Sequence, residues 1–135
     1  MEITPKLREV ARKYETPFVV LDLDLLKKNY ERLRRSVKNA VIFYAVKANS
    51  HVSILETLKE TGSCFDVASR GEIEKLLSLN INASRMSFGN TIKREEDIAF
   101  AHKLGINYFS VDSEMEIEKV ARNAPGSRVY GRIQM

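Results

Sequence analysis

Cysteine occurs once, at Cys64, in a chain of 135 residues. An internal disulfide framework is therefore excluded, and the lone thiol suits a reducing cytosol, so a cytoplasmic protein is expected. Three prolines and six glycines are too few for a collagen-like repeat or a flexible linker. Apolar runs such as Phe18–Leu21 stop after a few residues, well short of the ~20 needed to cross a bilayer, and no membrane partner is expected. Met1–Arg12 mixes Glu2, Lys6, Arg8 and Glu9 into its apolar residues and lacks the uninterrupted core of a secretory signal. What is present is 44% hydrophobic and 30% charged residues, the balance of one folded domain.

A net charge of +4 makes nucleic acid a partner to consider. The 22 basic residues are, however, interleaved with 18 acidic ones. The densest basic group is Lys27, Lys28, Arg32, Arg34 and Arg35, interrupted by Glu31 on one helix. It reads as a solvated helix face, because no zinc-ligand spacing, RNP-like aromatic pattern or arginine-rich tail accompanies it. No nucleic-acid partner is expected.

A pattern repeats along the chain. β-Branched or aromatic runs at Val41–Val46, Cys64–Val67, Arg85–Phe88, Tyr108–Val111 and Arg128–Ile133 have centres about 22 residues apart. A helical pattern fills each gap, which predicts successive strand–helix units. Before the first strand, Leu26, Tyr30, Leu33 and Val37 make one stripe over Asp24–Val37. The later helices carry Val52, Leu55 and Leu58; Ile73, Leu76 and Leu77; and Ile98, Ala101 and Leu104. The last opens on Ser113 and Glu116 as a capping box, with Ile117, Val120 and Ala121 as its core face. Thr61-Gly62, Gly105 and Pro125-Gly126 are the expected stops. Val41–Val46 is apolar without alternation, which predicts a parallel sheet covered on both faces.

The fold class is therefore α/β, either an open doubly wound sheet or a (β/α)8 barrel. Five units fall short of the roughly 250 residues of a whole barrel, so the chain reads as the N-terminal portion of a longer protein. Residues 1–23 are expected to lead in, with a short amphipathic helix over Met1–Tyr14 and an extended run at Thr16–Asp22. Residues 24–135 are expected to form the strand–helix units.

Functional groups of parallel α/β folds gather at the C-terminal ends of the strands. Lys47 stands directly after an apolar strand, where desolvation would favour the neutral amine that attacks carbonyls; the alternative is a strand-end lysine reaching into solvent. Asp66, inside another apolar strand, needs a partner, and Lys47 and Arg132 are the candidates. It serves either chemistry or an internal salt bridge. Glu72 opens a helix, where the macrodipole favours an anion, and capping is its simpler role. His51 fits helix-start hydrogen bonding and His102 an exposed helix position. Cys64 has no evident base beside it, and Gly89-Asn90-Thr91 carries too few glycines to cradle a phosphate.

Two longer stretches carry a resemblance. Phe43-Tyr44-Ala45-Val46-Lys47-Ala48-Asn49 and Phe65-Asp66-Val67-Ala68-Ser69-Arg70-Gly71-Glu72-Ile73 resemble fold-type III pyridoxal-phosphate enzymes, most closely the ornithine, lysine and arginine decarboxylase group, with diaminopimelate decarboxylase a relative. Ser87–Lys93, Phe109–Glu114, Arg132-Ile133 and Thr16-Pro17-Phe18 agree in order and spacing. The resemblance implies an alanine racemase-like (β/α)8 barrel, here about five incomplete units, joined to a β domain that Phe18–Leu21 would partly enter.

It implies pyridoxal 5'-phosphate held by Lys47 as a Schiff base, with Ala45 lining the cofactor and Asp66 and Arg132 in the same cluster. Glu72 would support that cluster from behind. It further implies decarboxylation of a basic amino acid to a di- or polyamine precursor, and a homodimer with active sites at the interface. The ring-stacking histidine, phosphate-binding glycine loop, acid for the pyridine nitrogen and partner-chain cysteine and aspartate would lie beyond Met135, so the chain alone should be a poor catalyst. Diaminopimelate decarboxylation, an alanine racemase-like activity or a non-catalytic cofactor-binding homologue are the alternatives. Ser50-His51-Val52 after Asn49 departs from the racemase pattern.

Overall fold

Val46, Phe65, Val67, Met86, Phe88, Phe109 and Val111 are all buried in one apolar cluster with residues of the surrounding helices, and this strand–helix layer organises the molecule. The computed structural model describes residues 4–133. Helix α1 (Pro5–Lys13) starts on the Thr4 side chain and α2 (Leu23–Ser36) on that of Asp22. Then follow β1 (Phe43–Ala45), a 3-10 turn over Val46–Ala48, α3 (Val52–Glu60), β2 (Cys64–Val67) and α4 (Arg70–Ser78). A second 3-10 turn over Ala83–Arg85 leads into β3 (Met86–Phe88), α5 (Glu95–Lys103), β4 (Tyr108–Val111), α6 (Glu114–Asn123) and β5 (Arg128–Gly131). All four strand pairs are parallel, in the order β1-β2-β3-β4-β5. The expected five-strand α/β pattern is present. Gly62 and Gly105, at φ +83° and +95°, stop α3 and α5 where the sequence places the breaks.

Ile54, Leu55 and Leu58 of α3, Ile73 and Leu76 of α4, and Ile98 and Ala101 of α5 close over the sheet. Each fully buried leucine or isoleucine among them adds about 1.5–3 kcal/mol relative to exposure. At the opposite end of the strands from the candidate residues, Arg85 ties the layer together. Its Nε and Nη2 donate to the Ser63 carbonyl and Nη2 also to that of Lys59, while its guanidinium stands 5.8 Å from the Phe65 ring centroid.

Several expectations need correction. The first strand is shorter than Val41–Val46, and Lys47 follows it inside a 3-10 turn that Val46 opens. Arg85 precedes β3, and Arg132 follows β5, with its backbone N–H donating to Val111 O at 2.8 Å. The sheet is not apolar on both sides: β2 alternates, with Phe65 and Val67 buried and Cys64 and Asp66 only half-buried. Leu33 and Val37 of the α2 region and Val52 of α3 are exposed, leaving Leu26 and Tyr30 as the α2 residues of the expected stripe that pack on the core. The inward residues of the last helix are Glu116 and Val120, with Ala124 following it, whereas Ile117 and Ala121 face solvent. Phe18–Leu21 forms no strand, and Val19 is 88% exposed. Met1–Ile3, the start of the expected first helix, lie outside the described residues.

Candidate active site

The C-terminal end of β1 is shaped by its neighbours. Val46 is fully buried and anchors the 3-10 turn, so Lys47 and Ala48 are turned outward and exposed. The burial expected of Lys47 is absent; its side chain reaches solvent, which was the alternative reading. The backbone around it is nevertheless held. Tyr44 Oη donates to Asn49 O at 3.0 Å, Asn49 Oδ1 accepts from His51 N at 3.0 Å, and His51 Nδ1 accepts from Ser53 N to cap α3. His51 thus plays the helix-start role that its position predicts.

Ala45, Asp66 and Ser87 are register partners across β1, β2 and β3. With Phe43, Tyr108 and Tyr130 they line a cavity of about 380 Å³ on the face of the sheet away from the helices. Asp66 pairs with neither Lys47 nor Arg132. Its Oδ1 accepts from Ser87 Oγ at 2.5 Å and from Tyr130 Oη at 3.4 Å. Burial, together with the Asp66 charge, pushes the Tyr130 phenol above its ordinary value. On the other oxygen lies Gly89. A Cβ built there would stand 2.0 Å from Asp66 Oδ2 and 2.4 Å from Oδ1, so only glycine leaves room for this carboxylate.

The remaining candidates are apart from this group. Glu72 Oε2 accepts from Ala68 N at 2.7 Å, and Ser69 Oγ accepts from Glu72 N. Together they cap α4 and fix the turn that follows β2, the simpler of the two roles expected for Glu72. Arg132 is exposed beyond β5. The structure therefore joins Ala45 to Asp66, adds Ser87, Tyr130 and Gly89, and leaves Lys47, Glu72 and Arg132 off the cavity lining.

Sequence reasoning missed a buried ion cluster at the same end of the sheet. The side chains of Lys93 and Glu116 are 0% and 3% exposed, with Lys93 Nζ 3.1 Å from Glu116 Oε2. Lys93 Nζ also donates to the carbonyls of Asn90, Thr91 and Ser110, and Lys119 Nζ pairs with Glu116 Oε1 and donates to Lys93 O at 2.7 Å. The capping box expected at Ser113 is half made: Ser113 Oγ accepts from Glu116 N, but the glutamate side chain turns inward.

Burial pulls the Lys93 ammonium below its usual value, against the opposing pull of Glu116. For Glu116, burial acts upward, but the hydrogen bonds from Lys119 and Lys93 outweigh it and hold the carboxyl below the usual range. A depressed folded value means that its stabilisation is present above the unfolded glutamate value of about 4.3 and is lost as pH falls through the folded one. Glu116→Gln should therefore cost about 3 kcal/mol at pH 7, since it leaves two cations short of their anion. In urea titrations the gap from the native protein should close below about pH 4; a gap independent of pH would show that the ionised form contributes nothing.

Comparison with known proteins shows the family of the chain. Residues 23–135 match the pyridoxal binding domain of the pyridoxal-dependent decarboxylases. The chain belongs to that family. The chain is 42% identical over 132 residues to a chloroplastic ornithine decarboxylase of Nicotiana glutinosa, covering 98% of this chain and 30% of that protein. It is 38% identical over 128 residues to a lysine/ornithine decarboxylase of Selenomonas ruminantium, covering 95% and 33%. A crystal structure of SrLDC in complex with PLP and cadaverine matches it with a TM-score of 0.87 at 37% identity, covering 99% of this chain and 35% of that one. The chain thus spans about a third of the length of these relatives. Among the described residues, no helix is long and apolar enough to cross a membrane.

Proposed function

We propose that the complete protein is a pyridoxal-phosphate-dependent decarboxylase of a basic amino acid, ornithine first and lysine or arginine next, yielding a diamine or polyamine precursor. In this reading residues 24–135 anchor the cofactor and residues 1–23 lead into them. The observation that carries it is the row Ala45–Asp66–Ser87 under a cavity walled by Phe43, Tyr108 and Tyr130, one short turn before the exposed amine of Lys47.

The donor set fits the cofactor. Aromatic walls and a small alanine leave space for a flat ring, the volume falls in the range of small-molecule sites, and one carboxylate is held by hydroxyl donors. When bound, pyridoxal phosphate supplies an electron sink for the carbon that loses its carboxylate. The chain's own residues do the rest. Lys47 would hold the cofactor through Nζ and yield it to the substrate amine. Asp66 would fix charge beside it, with Ser87 and Tyr130 setting the carboxylate's direction. Glu72 would keep the turn after β2 in place through Ala68 N, and Arg132 would contribute from the end of β5. A homodimer with shared active sites completes the proposal, and residues outside this chain would choose the substrate.

The test is carbon dioxide release by the complete protein with added pyridoxal phosphate, measured separately on ornithine, lysine, arginine and diaminopimelate. Release from the first three, but not the last, is expected. A cofactor held on Lys47 with no release from any would make the protein a non-catalytic binder and overturn the decarboxylase reading.

A further inference from the structure

We propose that the Lys93–Glu116–Lys119 cluster is a positioning device, pinning the turn between β3 and α5 so that the Gly89 backbone keeps the Asp66 carboxylate in its place in the site. This rests on the reading that Asp66 neighbours the cofactor. Residue 93 is gripped at every polar atom. Its Nζ serves three carbonyls, at 3.0 Å to Asn90, 3.4 Å to Thr91 and 2.6 Å to Ser110, as well as Glu116. Its N–H donates to Glu116 Oε1 at 3.4 Å, and its carbonyl accepts from Lys119. The turn is thereby tied to β4 through Ser110 and to α6 through Glu116 and Lys119.

The same turn closes on β2. Gly89 N donates to Val67 O at 2.9 Å, and Asn90 Nδ2 donates to Ala68 O at 3.3 Å. The Asp66 carboxylate is boxed between this backbone on the Oδ2 side and the hydroxyls of Ser87 and Tyr130 on Oδ1. Taking ions out of water opposes folding, and apolar side chains of similar volume often fill such space at no loss of stability. What apolar side chains cannot do is hold carbonyl oxygens of one turn and a neighbouring strand from a single atom. The cluster's distinctive contribution is therefore placement.

The experiment compares the complete holoenzyme with Lys93→Met/Glu116→Leu, an apolar replacement expected to fold, and with Lys119→Met, which removes only the half-buried member. Four quantities are read: kcat, KM, the pH midpoint of the bound cofactor's visible band, and hydrogen exchange of the Gly89–Thr91 amides in the cofactor-free protein. The double variant should exchange faster in that segment, shift the midpoint by about 0.5 unit and lose kcat about tenfold with KM within about twofold. Lys119→Met should move all of these in the same direction by less. Native exchange, midpoint and kcat in a folded double variant would overturn the inference, whatever happens to Tm. If the double variant does not fold, Lys119→Met decides alone by the same criteria. A wild-type protein lacking both the band and carbon dioxide release would instead sink the reading of the site itself, so the two failures are distinguishable.

Discussion

Lys47→Ala should leave the complete protein without a visible cofactor band and lower decarboxylation by about 10³-fold or more, the scale on which a lost nucleophile or proton-transfer group acts. The structure supplies the reason for choosing this amine over others nearby. Lys93 is enclosed and its protons are committed to carbonyls and to Glu116, and Lys75 Nζ donates to Ser50 Oγ at 3.2 Å. Lys47 is exposed, and its turn is fixed on both sides by Val46 and by the Tyr44–Asn49 bond. Borohydride reduction of the loaded protein followed by mass mapping should therefore mark Lys47. Lys47→Arg separates covalent attachment from charge: it keeps the cation and should be as inactive as the alanine variant. A band that survives in Lys47→Ala would end the assignment.

Gly89→Ala carries the second large effect. Its φ lies outside the left-handed region, so the added methyl brings no backbone strain; the cost is contact alone. A Cβ 2.0 Å from Asp66 Oδ2 and 2.5 Å from Cγ cannot be absorbed without moving the carboxylate or the turn. Either movement disturbs the Ser87 and Tyr130 hydrogen bonds to Asp66. Overpacking of this kind costs about 1–3 kcal/mol, and displacing a group in the site by about an ångström costs on the order of 100-fold in rate. Urea denaturation and kcat measured on the same preparation would check both. Gly89→Ala combined with Asp66→Ala should recover much of the lost stability and none of the activity, because the clash is with the carboxylate itself. Full activity in Gly89→Ala would show that Asp66 is not held where the reaction needs it.

The sequence revealed the strand–helix alternation, because the units carry their own local signals: an apolar run, a helical stripe and, after α3, α5 and α6, a glycine stop. The family resemblance also grouped Ala45 with Asp66, and these two side chains line one cavity. Sequence reasoning failed where contacts join distant residues. Lys93 and Glu116 are 23 residues apart, one in a turn and the other on α6, and neither has an unusual local pattern; Glu116 even fits a surface capping box. The same holds for Tyr130, which lies 64 residues from Asp66 and reads as an ordinary strand aromatic. The burial assigned to Lys47 came from extending the apolar strand one turn too far. Val46 ends that run by burying itself inside the 3-10 turn, and the next side chain must then point outward. For α6, the stripe chosen from apolar letters was one position off because the inward face carries a charged residue whose partner lies elsewhere.

Strand order in this sheet is the same as chain order, and every strand pairs with the one made just before it. Among the described strands no pairing has to wait for a remote segment, so loop closure stays short at each of these steps. During synthesis the growing polypeptide could add one strand and its covering helix at a time onto an existing template, N-terminal units first. Ribosome-bound chains stalled after successive helices should accordingly show protection spreading from Phe43 towards Gly131, one unit behind the exit of each new strand.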